Sequence, residues 1–239
     1  MEGLGNDFVV VDERVDVSAD LVRVLCDRHF GVGADGVLQV SVDRGVVRMD
    51  YWNADGGGAE MCGNGLRCVA LFASENGLVS TKSFVVKTAL GERRVEVGEA
   101  VRVEIGAVKL GQSKSWQGET FHAASVGNPH LVRFGGNPDE VDVPNVGQEL
   151  EQATPGGVNV GFAQASLDGI KLRVWERGVG ETLACGSGMV AAAAVGQRLG
   201  LSGATVTMTV RGGQATVELE AETAWLSGPA RLVFRGVFL

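Results

Sequence analysis

The chain has little of what marks several large protein classes. Of its 239 residues only 5 are proline, 3 are histidine and 1 is tyrosine, and aromatic residues make up 6%. The four cysteines, Cys26, Cys62, Cys68 and Cys185, form no Cys-x-x-Cys pair, and no His-Glu-x-x-His segment occurs. Four cysteines are too sparse for a disulfide scaffold, and His29, His122 and His130 do not pair with them at zinc spacing, so no metal site is expected. Basic residues are outnumbered: 21 Lys and Arg against 29 Asp and Glu leave a formal net charge of -8 without a basic cluster. Such a chain is a poor partner for nucleic acid or an acidic membrane. A long apolar run is also missing, since the longest aliphatic stretch, 189–195, is far too short to span a bilayer. The N-terminus lacks the basic start and apolar core of a secretory signal, so a cytoplasmic protein with reduced thiols is expected.

What is present is apolar material and glycine. Apolar residues are 45% of the chain, enough for one large core or two modest ones, and the 36 glycines are about twice the usual share of roughly 7%. No Gly-X-Y period accompanies them, which assigns them to turns and to places where backbone comes close to something. Short β-rich runs dominate: 8–11, 46–52, 84–87, 93–97 and 101–105 in the first half, then 131–134, 158–163, 170–175, 205–210, 215–219 and 232–234. Several alternate, as in Arg102-Val103-Glu104-Ile105, the pattern of a half-buried antiparallel strand. Helical periodicity is confined to 19–30 behind an N-capping Ser18, 66–73, and 189–199, the last apolar for two turns and therefore buried. A polar, irregular stretch at 111–118 separates the strand-rich halves.

The halves echo one another. Glu60-Met61-Cys62-Gly63-Asn64-Gly65-Leu66-Arg67 resembles Leu183-Ala184-Cys185-Gly186-Ser187-Gly188-Met189-Val190, with the cysteines 123 positions apart. The economical reading is an α+β protein of two similar, pseudo-symmetric domains, each a β structure wrapped around one central helix that starts at a cysteine. The expected domains are 1–106 with a C-terminal strand at about 231–239, carrying Cys62, and 107–230, carrying Cys185. The first N–H groups of a helix lack intrahelical partners and carry a partial positive charge, so an anion can dock there and a thiol's pKa can fall. Two such helix starts on one cleft between the domains would give two sulfur acid/base groups around one carboxylate. Cys26 and Cys68 lack these features and are assigned to packing.

Other motifs fail. Gly31-Val32-Gly33-Ala34-Asp35-Gly36 fits a dinucleotide fingerprint by letter but follows a helical segment. The P-loop spacing at 58–63 meets Asn64-Gly65 where Lys-Ser/Thr is needed, and Ser187 lacks the first glycine of a nucleophile elbow.

Seven ordered motifs carry a family resemblance over nearly the full length. They are Gly3-Leu4-Gly5-Asn6-Asp7-Phe8, the run from Arg28 to Gly36, Asn53-Ala54-Asp55-Gly56, Met61-Cys62-Gly63-Asn64-Gly65, Gly127-Asn128-Pro129-His130, Val158-Asn159-Val160-Gly161-Phe162, and the run from Trp175 to Gly188. The chain resembles the diaminopimelate epimerases, cofactor-independent enzymes of lysine and peptidoglycan precursor synthesis. Gly57-Gly58 stand where that family often has Ser-Glu. Proline racemases share the two-cysteine design but differ around both cysteines. The resemblance implies inversion of one α-carbon of LL-2,6-diaminopimelate to the meso form, one cysteine removing the α-proton as thiolate and the other delivering one as thiol. It implies no cofactor, a homodimer, and catalytic assistance from His130 and Glu176. Asn6, Asn53, Asn128, Asn159, Glu176 and Arg177 would bind the distal amino-acid end, and backbone N–H groups of Gly63, Asn64, Gly186 and Ser187 would meet the carboxylate. The competing readings are a proline racemase-like enzyme, a non-catalytic amino-acid binder, or a thiol redox protein.

Overall fold

The computed structural model describes residues 1–59 and 62–238. Glu60 and Met61, which open the first cysteine motif, and Leu239, at the end of the expected last strand, lie outside the described residues. The chain divides into two compact units, Met1–Val103 with Gly228–Leu239, and Glu104–Ser227.

In the first unit β1 (Glu2–Gly3) and β2 (Asn6–Asp12) form an antiparallel pair. Leu4 and Gly5 join them, both at positive φ (57° and 81°), the twist a two-residue hairpin turn requires. A short helix, α1 (Ala19–Cys26), then carries the chain to β3 (Gly36–Asp43), which lies parallel to β2. Ser18 starts α1 by accepting the Leu21 N–H at 3.2 Å, and Val22, Leu25 and Cys26 bury one face. β4 (Val46–Asn53) returns antiparallel to β3, and β5 (Gly58–Ala59) folds back on β4. The central helix α2 (Gly63–Glu75) leads to β6 (Ser83–Thr88), parallel to β4. β7 (Gly91–Val97) and β8 (Val101–Gly106) complete an antiparallel meander.

The second unit opens with a hairpin, β9 (Lys109–Trp116) and β10 (Glu119–Ser125), followed by β11 (Pro129–Phe134) antiparallel to β10. From there the first unit's plan repeats element for element. α3 (Val143–Gln152) precedes β12 (Asn159–Ser166), parallel to β11; β13 (Gly169–Glu176) is antiparallel to β12; β14 (Gly180–Thr182) folds back on β13. The central helix α4 (Gly186–Arg198) leads to β15 (Thr205–Val210), parallel to β13, then to antiparallel β16 (Gly213–Leu219) and β17 (Ala224–Gly228). The sequence echo is thus a repeated topology.

Both central helices have 13 residues and are wrapped nearly all round, as the run Gly188–Gly196, buried throughout in α4, requires. A Cβ on Gly196 would sit 3.0 Å from Ile170 Cδ1, so sheet and helix touch at that glycine. Each large apolar side chain sealed here contributes about 1.5–3 kcal/mol.

Three local expectations are corrected, and two elements carry no sequence pattern. The helix expected to reach residue 30 ends at Cys26, because the Asp27 carboxylate accepts the N–H groups of His29 and Phe30 (2.7 and 2.8 Å) and turns the chain; Phe30 is 91% exposed. The polar stretch 111–118 is most of a hairpin whose turn residues Gln117 and Gly118 have φ of 49° and 82°; β9 is largely exposed on both faces, so no alternation marked it. β3 carries no period of two, because Val37 and Leu38 are both buried. Helix α3 escaped because Pro144 and Gly147 sit inside it; Pro144 occupies the tolerated first turn, and a Cβ on Gly147 would meet Trp175 at 2.4 Å. Finally, 232–234 is no strand: past the bridge between Glu2 and Arg231 the chain has no partner among the described residues, and Val233 and Phe234 are exposed.

Candidate active site

In the first unit, Cys62 is the N-cap residue of α2 and is half-buried. Helix geometry leaves the N–H groups of Gly63 and Asn64 without intrahelical acceptors, while the Leu66 N–H returns to the Cys62 carbonyl at 2.8 Å. The Cys62 thiol donates to Asn6 Oδ1 at 3.4 Å, and Asn64 Nδ2 donates to the same oxygen at 3.2 Å. Asn6 opens β2, which brings residue 6 beside residues 62 and 64. Asn53 ends β4 in register with Gly36 and is exposed; the structure shows no bond from it to the cysteine group.

In the second unit, Cys185 is the N-cap residue of α4 and buried. Its sulfur accepts the Gly188 N–H at 3.4 Å and lies 3.5 Å from Ser187 Oγ. Asn128 and His130, at the start of β11, reach the same serine: Asn128 Nδ2 donates to Ser187 Oγ at 3.3 Å, and His130 Nε2 lies 3.1 Å from it and 2.9 Å from Asn128 Oδ1. An amide oxygen only accepts, so His130 Nε2 carries the hydrogen. Ser187 is then free to turn its own hydroxyl hydrogen toward the sulfur. Glu176, at the end of β13, accepts the Thr182 hydroxyl at 2.5 Å and shares a hydrogen bond with Cys185.

At Cys185 and His130 burial outweighs every other influence on ionisation. Cys185 is pushed well above the usual thiol range, first by burial and then by the neighbouring Glu176 carboxylate; the Ser187 and Gly188 donors pull the other way and lose. This reverses the expectation that a helix start would depress it. Burial, with Arg177 adding repulsion, pushes His130 down to about 3, so the ring is neutral at physiological pH. Its link to a cysteine runs through Ser187 and is not direct.

Asn159 acts as a brace. Its Nδ2 donates to the Pro129 carbonyl at 2.9 Å and its Oδ1 accepts the Arg177 N–H at 3.0 Å, tying the start of β11 to the turn after Glu176. Arg177 Nη1 donates to the Gly156 carbonyl at 3.0 Å, and its stem lies so close to Gly157 (φ 72°) that a Cβ there would meet it at 2.6 Å.

Sequence reasoning missed four charged residues of the first unit. Asp35 Oδ2 accepts from Asn6 Nδ2 at 2.7 Å; Arg28 bridges Asp35 and Asp7, each at 2.8 Å; and Arg67, fully buried, donates to Asn64 Oδ1 at 2.9 Å. The available signal for Arg67 was a single charge within the apolar run 66–73. Among the described residues no group of His, Cys, Asp or Glu is arranged to hold a metal ion.

A sequence model of the diaminopimelate epimerases matches residues 1–112 and 122–233. The chain belongs to the diaminopimelate epimerase family. It is 41% identical to the diaminopimelate epimerase of Xylella fastidiosa strain M23 over 268 residues (100% of this chain, 94% of the relative). It is 39% identical to that of Archaeoglobus fulgidus over 264 residues (99% and 94%). Among solved structures it is similar to a phenazine biosynthesis protein of the PhzF family from Enterococcus faecalis (TM-score 0.77, 16% identity, 98% and 94% coverage). A hydroxyproline epimerase from Agrobacterium vitis with bound trans-4-hydroxy-L-proline shares the fold likewise (TM-score 0.71, 16% identity, 95% and 87%). The two segments matched to the diaminopimelate epimerase family contain every candidate site residue, and the gap between them falls on the β9–β10 hairpin.

Proposed function

We propose that the chain inverts one α-carbon of LL-2,6-diaminopimelate to give the meso isomer, in lysine and peptidoglycan precursor synthesis. The observation that carries this reading is the placement of one cysteine at the N-cap of each central helix, in two copies of one topology, in a diaminopimelate epimerase family member. One thiolate removes the α-proton and the other thiol delivers a proton to the opposite face, with roles exchanged in reverse. Charge gathering on the substrate carboxylate is met by the N–H groups of Gly63, Asn64, Gly186 and Ser187. Glu176 takes the Cys185 proton; neutral His130 holds Asn128 and Ser187 in place. The distal end is recognised by Asn6, Asn53, Asn128, Asn159, Glu176 and Arg177, of which Arg177 suits a carboxylate. The reading extends to a homodimer acting in the cytoplasm without a cofactor.

The test is incubation with LL-diaminopimelate in D₂O without pyridoxal phosphate, followed by proton NMR. Deuterium entering the α-position of diaminopimelate but not of proline supports the reading. Label in proline selects a proline racemase-like enzyme, and no label in either selects a binder or thiol redox protein. Cys62→Ala and Cys185→Ala should each abolish inversion.

A further inference from the structure

The amide planes of Asn6 and Asn64 are gripped from both ends. At one end, Asn6 faces the Asp35 carboxylate at 2.7 Å. A carboxylate only accepts, so the Asn6 atom there must be Nδ2, and Oδ1 must point toward Asn64 and Cys62. At the other end, Asn64 faces Arg67 Nη2 at 2.9 Å. A guanidinium only donates, so that atom must be Oδ1, and Asn64 Nδ2 must point back at Asn6, where it lies 3.2 Å from Oδ1. The two ends give the same answer, and flipping either amide sets two donors or two acceptors against each other.

Both anchors are themselves held. Arg28 donates to Asp35 and to Asp7, and the Asp7 N–H also donates to Asp35 Oδ2 at 3.2 Å. Arg67 is fully buried; its Nε donates to the Pro229 carbonyl at 3.2 Å and its Nη1 lies 3.5 Å from the Gly63 carbonyl. A Cβ on Gly3 would come within 3.2 Å of Nη2, so the glycine leaves room for the guanidinium. Among the described residues no carboxylate forms an ion pair with Arg67, and a buried cation held only by neutral acceptors is costly. Of the charged groups near the start of α2, the Glu2 carboxylate, engaged by Arg231, also acts on Arg67 by charge, and the Met1 ammonium is bonded to the Phe8 carbonyl.

We propose that Asp35 and Arg67 are positioning residues, which by gripping opposite ends of the Asn6–Asn64 pair permit only the arrangement that presents the Asn6 carbonyl oxygen to the Cys62 thiol. The proposal rests on the reading of Cys62 as a proton-transfer group. An amide oxygen there keeps the sulfur protonated and aimed, whereas a flipped Asn6 would offer its NH₂ group, a donor that favours thiolate. Arg67 acts on the same sulfur by charge, and a nearby cation favours thiolate.

The two variants therefore move the thiol in opposite directions. Asp35→Asn removes one of the two restraints on the Asn6 amide, so the flipped form gains population, and the Cys62 peptide should alkylate severalfold faster with iodoacetamide at fixed pH, read by mass spectrometry, with the Cys185 peptide as internal reference. Arg67→Met should slow it severalfold. In the epimerase assay, run well below each variant's melting temperature, both should lose kcat by about 10²-fold with KM changed less than about threefold, the cost of a misplaced reacting group, and Arg67→Lys should recover part of it. Alkylation rates and kcat unchanged in both variants overturn the proposal, as does a kcat loss that follows only the unfolded fraction. Wild-type protein that incorporates no deuterium overturns the epimerase reading instead, and the alkylation rates still decide the amide clamp.

Discussion

His130 Nε2 lies 2.9 Å from Asn128 Oδ1, in a ring that is 2% exposed. The native ring stays neutral until about pH 3, whereas an unfolded histidine takes a proton near 6.5. Between those values the unfolded state binds one more proton, so stability falls on acidification with a slope approaching about 1.4 kcal/mol per pH unit from this group. Urea unfolding of the wild type and of His130→Gln at about pH 7 and about pH 4.5 should show a shallower loss for the variant. Equal losses would mean the ring is protonated in the native state.

Glu176 is expected to have two separable effects on Cys185. Its charge holds the thiol above the usual range, and its oxygen shares the thiol's hydrogen bond. Glu176→Gln removes the charge, so the thiol ionises at lower pH and Cys185 should alkylate faster. On the proposed role of Glu176 as acceptor of the Cys185 proton, kcat should fall by about 10²-fold or more. Faster alkylation with unchanged turnover would remove Glu176 from the proton path.

The glycines behind the two cysteines should differ in their tolerance of a methyl group. At Gly188 a Cβ would sit 3.2 Å from Cys185 Cβ, 3.3 Å from its sulfur and 3.2 Å from Val174 Cγ2. At Gly65 the nearest atom is the tip of Leu38, at 3.1 Å, which can rotate away, and Cys62 Cβ is 3.6 Å off. Gly188→Ala should cost about 1–3 kcal/mol in stability and move the sulfur, lowering kcat at least tenfold, whereas Gly65→Ala should keep most of it. Thermal melts and initial rates on both variants check the contrast.

Thiol labelling should be strongly uneven. Burial pushes Cys26 up to about 11 and Cys68 up to about 12, with Asp35 and Asp7 adding to the first. At pH 8 about one part in a thousand or less of either is thiolate. Cys185 is buried and raised, whereas Cys62 is partly exposed. The first equivalent of iodoacetamide should therefore appear on the Cys62 peptide.

Much of the fold was legible where burial is one-sided. The strands around Val47, Val103 and Leu172 alternate because one face is sealed, and the central helices were visible as apolar segments behind Cys-Gly-x-Gly. β3, buried on both faces, and β9, exposed on both, carry no period of two and were missed. α3 was hidden by Pro144 and Gly147, which read as breakers until the capping of Asp142 and the approach of Trp175 are seen.

The candidate site divides in the same way. Cys62 and Cys185 are singled out by letters alone, as a repeated motif at two helix starts, and the α+β two-fold plan follows from that repeat. The sequence also supplies Asn6, Asn128, His130 and Glu176 as motif residues. Only the folded chain decided that Asp35 and Arg67, 32 positions apart, close on one pair of amides. Only it decided that Cys185 is raised and not lowered. The reason is physical: a local motif fixes backbone geometry within a turn or two, but which groups are desolvated together, and which donors are left facing which acceptors, depends on strands and helices distant in the chain.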